Sequence, residues 1–291
     1  LTGISVSGPR PDNLKAGLLL VLASLIFTVE IVLLRLLDGR VAFSQVVLFR
    51  SLAQLVFAGF WAARTAGWAT LRTRRPGLHL LRGLFSLACW WLYYASFAGL
   101  GIALATVLAF TSSLFVVLLA GPVMGEKVGL RRGAATFIGF IGVIIAAGLT
   151  DIRIEPGVLM ALLSAACGAG IVLSNRSLAA TETTHTIMIW IGIITLIGCA
   201  PVALWEGAWP QGTDILILSC GSLAGCWGMW CTIEAYRTGE VSALAAVPYI
   251  RLIFAVLAGY LLFGEIPALH FWPGAALIVA GALLIALKPS R

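Results

Sequence analysis

The chain has 291 residues, 60% of them hydrophobic and only 11% charged, with a mean hydropathy of +1.03. A soluble domain carries roughly a quarter charged residues, so this composition excludes a surface covered by water and makes a bilayer the main solvent. The net charge of +7 does not mark a nucleic-acid binder, because the basic residues lie in or beside short gaps between apolar segments instead of gathering on one soluble face.

A hydrocarbon core of ~30 Å takes about 20 apolar residues per helical crossing. In chain order the predicted helices cover about 14–37, 43–63, 78–98, 102–124, 130–149, 156–178, 184–205, 213–236, 241–263 and 270–288. The breaks between them carry turn signals: RTRRPG (Arg72 to Gly77), Gly99-Leu100-Gly101, Pro156-Gly157 and Trp209-Pro210-Gln211-Gly212. No soluble domain fits between any two helices. A secretory signal does not account for the pattern, because apolar segments recur almost to the last residue. The expected fold class is therefore all-α integral membrane, with ten transmembrane helices.

One pattern occurs twice, about half a chain apart. FTSSLFVVLLAGPVMGEK ends in Gly125-Glu126 and PYIRLIFAVLAGYLLFGE in Gly264-Glu265, an offset of 139 residues. At that offset Trp91 falls on Trp230, Phe97 on Tyr236, Phe110 on Tyr249 and Gly142 on Gly281; near the start, an offset of 140 puts Gly17 on Gly157 and Ser24 on Ser164. The chain thus divides into two five-helix repeats, 14–149 and 156–288. Five is odd, so the second repeat enters the membrane from the side opposite to the first. Inverted repeats of this kind are common among secondary transporters, where two equivalent halves exchange conformations.

The basic residues sort by side. On the side of the N-terminus lie 14 of them (Arg10, Lys15, Arg64, Arg72, Arg74, Arg75, Arg82, Lys127, Arg131, Arg132, Arg176, Arg237, Lys288 and Arg291), against three (Arg35, Arg40 and Arg153) on the other. Positive loops stay in the cytoplasm, which predicts cytoplasmic N and C termini. Small residues allow close approach of helix backbones in lipid. Gly139, Gly142, Gly221, Gly225, Gly228, Gly274 and Gly281 are candidates for such seams, mostly within the chain; a monomer or weak homodimer is expected. Pro248 is the best hinge candidate, since proline removes a backbone donor and favours a kink.

Ionisable groups at membrane depth are costly and therefore count as functional leads. Glu30 and Arg251 lie deep in the first and ninth predicted helices, and Arg50 inside the second. Arg251 could hold a substrate carboxylate by paired hydrogen bonds, and Glu30 an ammonium group or a coupling proton. The competing reading is a structural pair, Glu30 with Arg50 or with Arg251. Arg82 and Glu234 are expected near the interface, where long side chains snorkel. Glu126 and Glu265 are expected to accept hydrogen bonds from the start of the next helix. Aromatic residues form a second group: Trp90, Tyr94 and Phe97 share one helical face, and Trp227, Trp230 and Glu234 another. These rings, with Phe110, Ser112 and Tyr249, are candidates to line a cavity that stacks on an apolar or aromatic substrate; plain packing is the alternative.

Other chemistry is missing from the sequence. The six cysteines lie within apolar segments without a Cys-x-x-Cys pair and away from the three histidines, so no disulfide, metal or other cofactor is expected. There is no GxxxxGK[ST] loop for ATP and no cluster of nucleophile, base and acid, so the chain does not read as an enzyme.

Two inverted five-helix units, each ending its fourth helix in Gly-Glu (Gly125-Glu126, Gly264-Glu265), resemble the EamA family of the drug/metabolite transporter superfamily. The resemblance covers nearly the whole chain. It implies a ten-helix secondary transporter without soluble domains. Where many members have proline partway through helices four and nine, this chain has Ser113 and Leu252. The expected function is alternating-access export of amino acids, including aromatic ones, and related metabolites across a bacterial inner membrane. The alternative is an uptake carrier for a cofactor-like metabolite such as S-adenosylmethionine or riboflavin. Small-molecule substrate and membrane lipid are the expected partners, with protons as candidate coupling ion and no nucleic acid.

Overall fold

The computed structural model describes residues 12–37, 40–65, 67, 72–96, 102–126, 128–146, 156–206, 209–264, 266 and 268–286. Arg10, Phe97, Gly99 to Gly101, Lys127, Arg153, Glu265, Lys288 and Arg291, named above, lie outside these residues, as does the side chain of Tyr94. The elements in order are α1 (Asn13–Arg35), α2 (Phe43–Thr65), α3 (Pro76–Ser96), α4 (Ile102–Ala109), α5 (Ser112–Met124), α6 (Leu130–Ala146), α7 (Pro156–Ala179), α8 (Thr184–Trp205), α9 (Thr213–Thr238), α10 (Val241–Leu244), α11 (Ile250–Phe263) and α12 (Phe271–Ala286). A three-residue 3₁₀ turn, Val247–Tyr249, joins α10 to α11. Among the described residues there is no strand, and seven helical segments are long and apolar enough to cross a membrane. The chain is a multi-pass membrane protein.

Two predicted helices are interrupted. The segment 102–124 breaks at Phe110–Thr111, where the Phe110 and Thr111 N–H groups bond back three residues and the Thr111 hydroxyl donates to the Leu108 carbonyl at 2.6 Å. Such bonds tighten the coil and let it turn. The segment 241–263 breaks at the 3₁₀ turn, which contains Pro248; proline offers no N–H to continue the ladder. Gly125 and Gly264 end α5 and α11 with φ of +69° and +68°, the left-handed conformation that favours glycine.

Four seams organise the bundle, and each joins a helix before residue 147 to one after residue 155: α1 with α9, α3 with α7, α2 with α8 and α6 with α12. All four run antiparallel. Between α2 and α8, the Ser51 and Thr195 hydroxyls meet at 2.8 Å and Gln54 Nε2 donates to the Met188 carbonyl at 2.7 Å, so residue numbers fall on one side as they rise on the other. Between α3 and α7, Arg82 meets Asn175 and Ser164 meets Cys89. Between α1 and α9, the Asp12 N–H donates to the Thr238 carbonyl, while Glu30 faces Gly225. Exchanging α1 with α7 and α3 with α9 turns the first of these crossed seams into the other.

The α6–α12 seam shows why glycine is needed. A Cβ on Gly274 would sit 2.4 Å from the Ala146 nitrogen, and one on Gly142 would sit 2.7 Å from the Gly274 carbonyl oxygen. Gly281 packs as closely against Ala135 and Gly139. Both sides are backbone, so neither can yield. Gly274→Val is expected to lower stability by roughly 1–3 kcal/mol through overpacking, read as a fall in the thermal midpoint in detergent. Gly59→Ala, where nothing lies within 4 Å of the added carbon, should leave the midpoint unchanged.

Candidate substrate site

Glu30, Arg50 and Arg251 meet around one ring. α1 carries Phe27 and Glu30, α2 carries Arg50, and the first turn of α11 carries Arg251. Arg50 Nη1 lies 3.0 Å from Glu30 Oε1, with the Glu30 side chain 5% exposed and that of Arg50 20%. The Arg50 and Arg251 guanidinium carbons stand 5.6 and 5.2 Å from the centre of the Phe27 ring, within the range of cation–π attraction. α9 makes room for this arrangement: a Cβ on Gly225 would sit 2.5 Å from Glu30 Oε1. Gly228, one turn on, similarly faces the edge of Phe27.

The Glu30 charge is thus met by Arg50. Arg251 makes no ion pair or side-chain hydrogen bond with another described residue, although it lies partly buried in the bundle. A planar guanidinium left this way presents a fork of donors suited to a carboxylate.

The predicted aromatics divide into separate groups. Trp90 on α3 stands 5.6 Å from Phe43 and 6.4 Å from Tyr93. Phe110, at the break between α4 and α5, meets Tyr249 edge-on at 5.8 Å. Tyr249 has no exposed surface; it packs with Val107, Val143 and Ile278 and lies against Gly139. Its placement makes it a core residue of this conformation. Ser112 opens α5 beside Gly168 of α7. Trp227 and Trp230 lie together elsewhere, 6.2 Å apart, and line an open cavity of about 710 Å³ with Trp61, His185, Glu234 and Arg237. Trp227, Trp230 and Glu234 do share one face, as their spacing requires, but that cavity lies between α2, α8 and α9 and includes neither Glu30 nor Arg251.

Two charged residues differ from expectation. Arg82 is 1% exposed and does not reach an interface. Its Nε donates to Asn175 Oδ1 at 2.8 Å and its Nη1 to the Ser86 hydroxyl, so α3 and α7 bury it with neutral partners. Glu126 bonds to the N–H groups of Val241 and Ser242 at 2.9 Å each, across the bundle, and not to the start of α6. Glu234 behaves nearer to expectation: 24% exposed, it pairs with Arg237 and accepts from the Thr184 hydroxyl.

The EamA-like transporter family matches the chain twice, over residues 14–148 and 155–287. The chain belongs to this family. Its EamA relatives include a riboflavin transporter of Rhizobium johnstonii, 30% identical, in an alignment covering 97% of this chain and 94% of the relative. An S-adenosylmethionine uptake transporter of Rickettsia prowazekii is 27% identical, with 86% and 83% covered. A pseudopaline exporter of Pseudomonas aeruginosa is 26% identical, with 94% of each chain covered. A protein of known crystal structure superimposes with a TM-score of 0.75 over 96% of this chain and 98% of its own, at 21% identity, and so shares the fold.

Nothing in the sequence marks Phe27 or Asn175, and Gly225 stands out only as a packing glycine. At an offset of 140 Glu30 falls on Gly170, so the repeat gave no second copy of the ion pair to point at its surroundings. Glu30→Gln is expected to cost on the order of 2–4 kcal/mol, because it leaves Arg50 without its counter-charge in a dry setting. Glu30→Gln with Arg50→Gln should cost less than the sum of the two single changes, measured as a double-mutant cycle on thermal unfolding.

Proposed function

We propose that this EamA-family protein is an alternating-access carrier of the bacterial inner membrane, exporting amino acids, aromatic ones included, and related carboxylate-bearing metabolites. The proposed topology is ten crossings in two inverted five-helix halves, 14–149 and 156–288, with both termini cytoplasmic. The four antiparallel seams between the halves and the 14-to-3 distribution of basic residues support it. α4 with α5, and α10 with α11, then each count as one interrupted crossing.

The observation that carries the substrate class is Arg251, a guanidinium beside the Phe27 ring that makes no direct ion pair among the described residues, Glu30 being paired with Arg50. In this reading Arg251 holds the cargo carboxylate, Phe27 and the Trp90–Phe43 pair offer ring faces, and Pro248 in the adjacent turn is the hinge. Glu30 sets the position of Arg50 and is the proposed proton carrier. An ammonium group on the cargo therefore has to compete with Arg50 for Glu30. Tyr94, Phe110 and Ser112 complete the proposed lining. Trp227 and Trp230 stand apart from this group, on the cavity between α2, α8 and α9.

Uptake of a flavin-like or methylated cofactor is the second reading. It is favoured by the near full-length match to a riboflavin transporter and by the S-adenosylmethionine uptake relatives. Flux in proteoliposomes, run in both directions with a panel of amino acids, riboflavin and S-adenosylmethionine under an imposed pH gradient, separates the two. Outward flux confined to carboxylate-bearing amino acids supports export; inward flux of either cofactor alone overturns it. Arg251→Leu should weaken apparent affinity for carboxylate cargo by about 10- to 100-fold, the value of a charge-assisted hydrogen bond, while cargo lacking a carboxylate changes little. Glu30→Gln should flatten the pH dependence of flux.

A further inference from the structure

At the end of the bundle that holds the start of α1, one short linker is gripped from three directions. The linker, Gly239 and Glu240, connects α9 to α10 and is gripped together with the first turn of α10, Val241 and Ser242. Asn13 Nδ2 donates to the Glu240 carboxylate at 3.4 Å, and the Glu240 N–H donates to Asn13 Oδ1 at 2.9 Å. Arg132, in the first turn of α6, forms an ion pair with Glu240 and donates to the Ser242 hydroxyl at 2.8 Å. Glu126, just past the end of α5, accepts the N–H of Val241 on one oxygen and that of Ser242 on the other. All three gripping residues belong to the first half of the chain and the linker to the second.

Beneath the linker lies an apolar plug. Ala16 and Leu20 of α1, Val116 and Val117 of α5, Leu173 of α7 and Leu244 of α10 pack together, all buried. At this end polar contacts thus overlie packed apolar side chains.

The two ways of joining the halves differ in kind. At the α6–α12 seam backbone touches backbone, and separation would open a void with nothing to fill it. At the linker the contacts are side-chain hydrogen bonds and an ion pair in which Arg132 is 12% and Glu240 27% exposed. Water reaches such groups and replaces their bonds at small net cost. One junction is built to stay and the other to come apart.

We infer that the clasp of Asn13, Glu126 and Arg132 on the Glu240 linker is the gate that closes this end of the carrier during transport. It gives the first Gly-Glu motif its physical role: Gly125 turns the chain out of α5 in the left-handed conformation, and Glu126 latches the opposite half. At the 139-residue offset Gly101 stands at the position of Glu240 and Phe271 at that of Arg132, so the repeat does not copy this ion pair; among the described residues the far end has a different one, Arg40 with Asp214 at 3.0 Å.

The inference presupposes a carrier but not its cargo, and the experiment reads the gate without any substrate. In the full-length protein with its six native cysteines replaced by alanine, Ala245→Cys places a thiol in the plug, at a site 2% exposed. Its labelling rate by a bulky, hydrophilic maleimide is followed in proteoliposomes, with the thermal midpoint measured alongside. Glu126→Gln and Arg132→Ala should each raise the rate about tenfold or more with the midpoint nearly unchanged. Arg132→Glu combined with Glu240→Arg should return it toward the starting value. Asn13→Ala, which removes no ion pair, should give a smaller rise and serves if Glu126→Gln does not accumulate. Unchanged rates in Glu126→Gln and Arg132→Ala, or rates that rise only in step with a falling midpoint, would overturn the gate. If flux is later found only for a cofactor, the amino-acid reading fails and the gate stands.

Discussion

Lipid tails give a helix no hydrophobic reason to leave them for a neighbour, so a bundle in a membrane holds together through close packing and buried polar contacts. The α6–α12 seam meets that constraint most directly. Gly142, Gly274 and Gly281 bring two backbones to distances that any side chain would forbid, and dispersion gains accumulate along the whole contact. Three other seams combine small residues with hydrogen bonds across the halves. Everything that could move must move against these fixed lines, which leaves the interrupted segments α4–α5 and α10–α11 as the parts with a choice of position.

The interior polarity follows from the same economy of space. Glu30 can lie flat against α9 only because Gly225 has no side chain, and once there it has Arg50 as its counter-charge. Two guanidiniums thus approach the Phe27 ring, that of Arg50 in an ion pair with Glu30 and that of Arg251 without a direct one among the described residues. The 3₁₀ turn containing Pro248 puts Arg251 on the segment whose backbone ladder is already broken.

Much of the fold could be read from residue order. Apolar run length located the helices, and the duplicated Gly-Glu signal located two left-handed helix ends. Glycine spacing located the tight seams. The site was less legible because its logic is tertiary. Glu30 and Arg251 stood out as charges in apolar runs, yet which of two arginines took the carboxylate depended on how α1 and α2 face each other. By its place in α3 Arg82 reads as interfacial; Asn175 and Ser86, which hold it inside, are ordinary polar residues that no period marks. Trp227 and Trp230 shared a helical face as spacing required, but spacing does not say which cavity a face looks into. Glu126 was assigned to the helix following it in sequence, whereas its partners lie more than a hundred residues away.

Two of the four seams, α2 with α8 and α6 with α12, pair each helix with its own counterpart at the repeat offset, and they do so head to tail. A contact of that type is what a two-fold axis produces when one protein meets a second copy of itself. Each half therefore presents, on α2 and α6 in one case and on α8 and α12 in the other, surfaces that fit its counterpart laid in the opposite direction, so a change of shape on one side of either seam has to be answered by the equivalent position on the other.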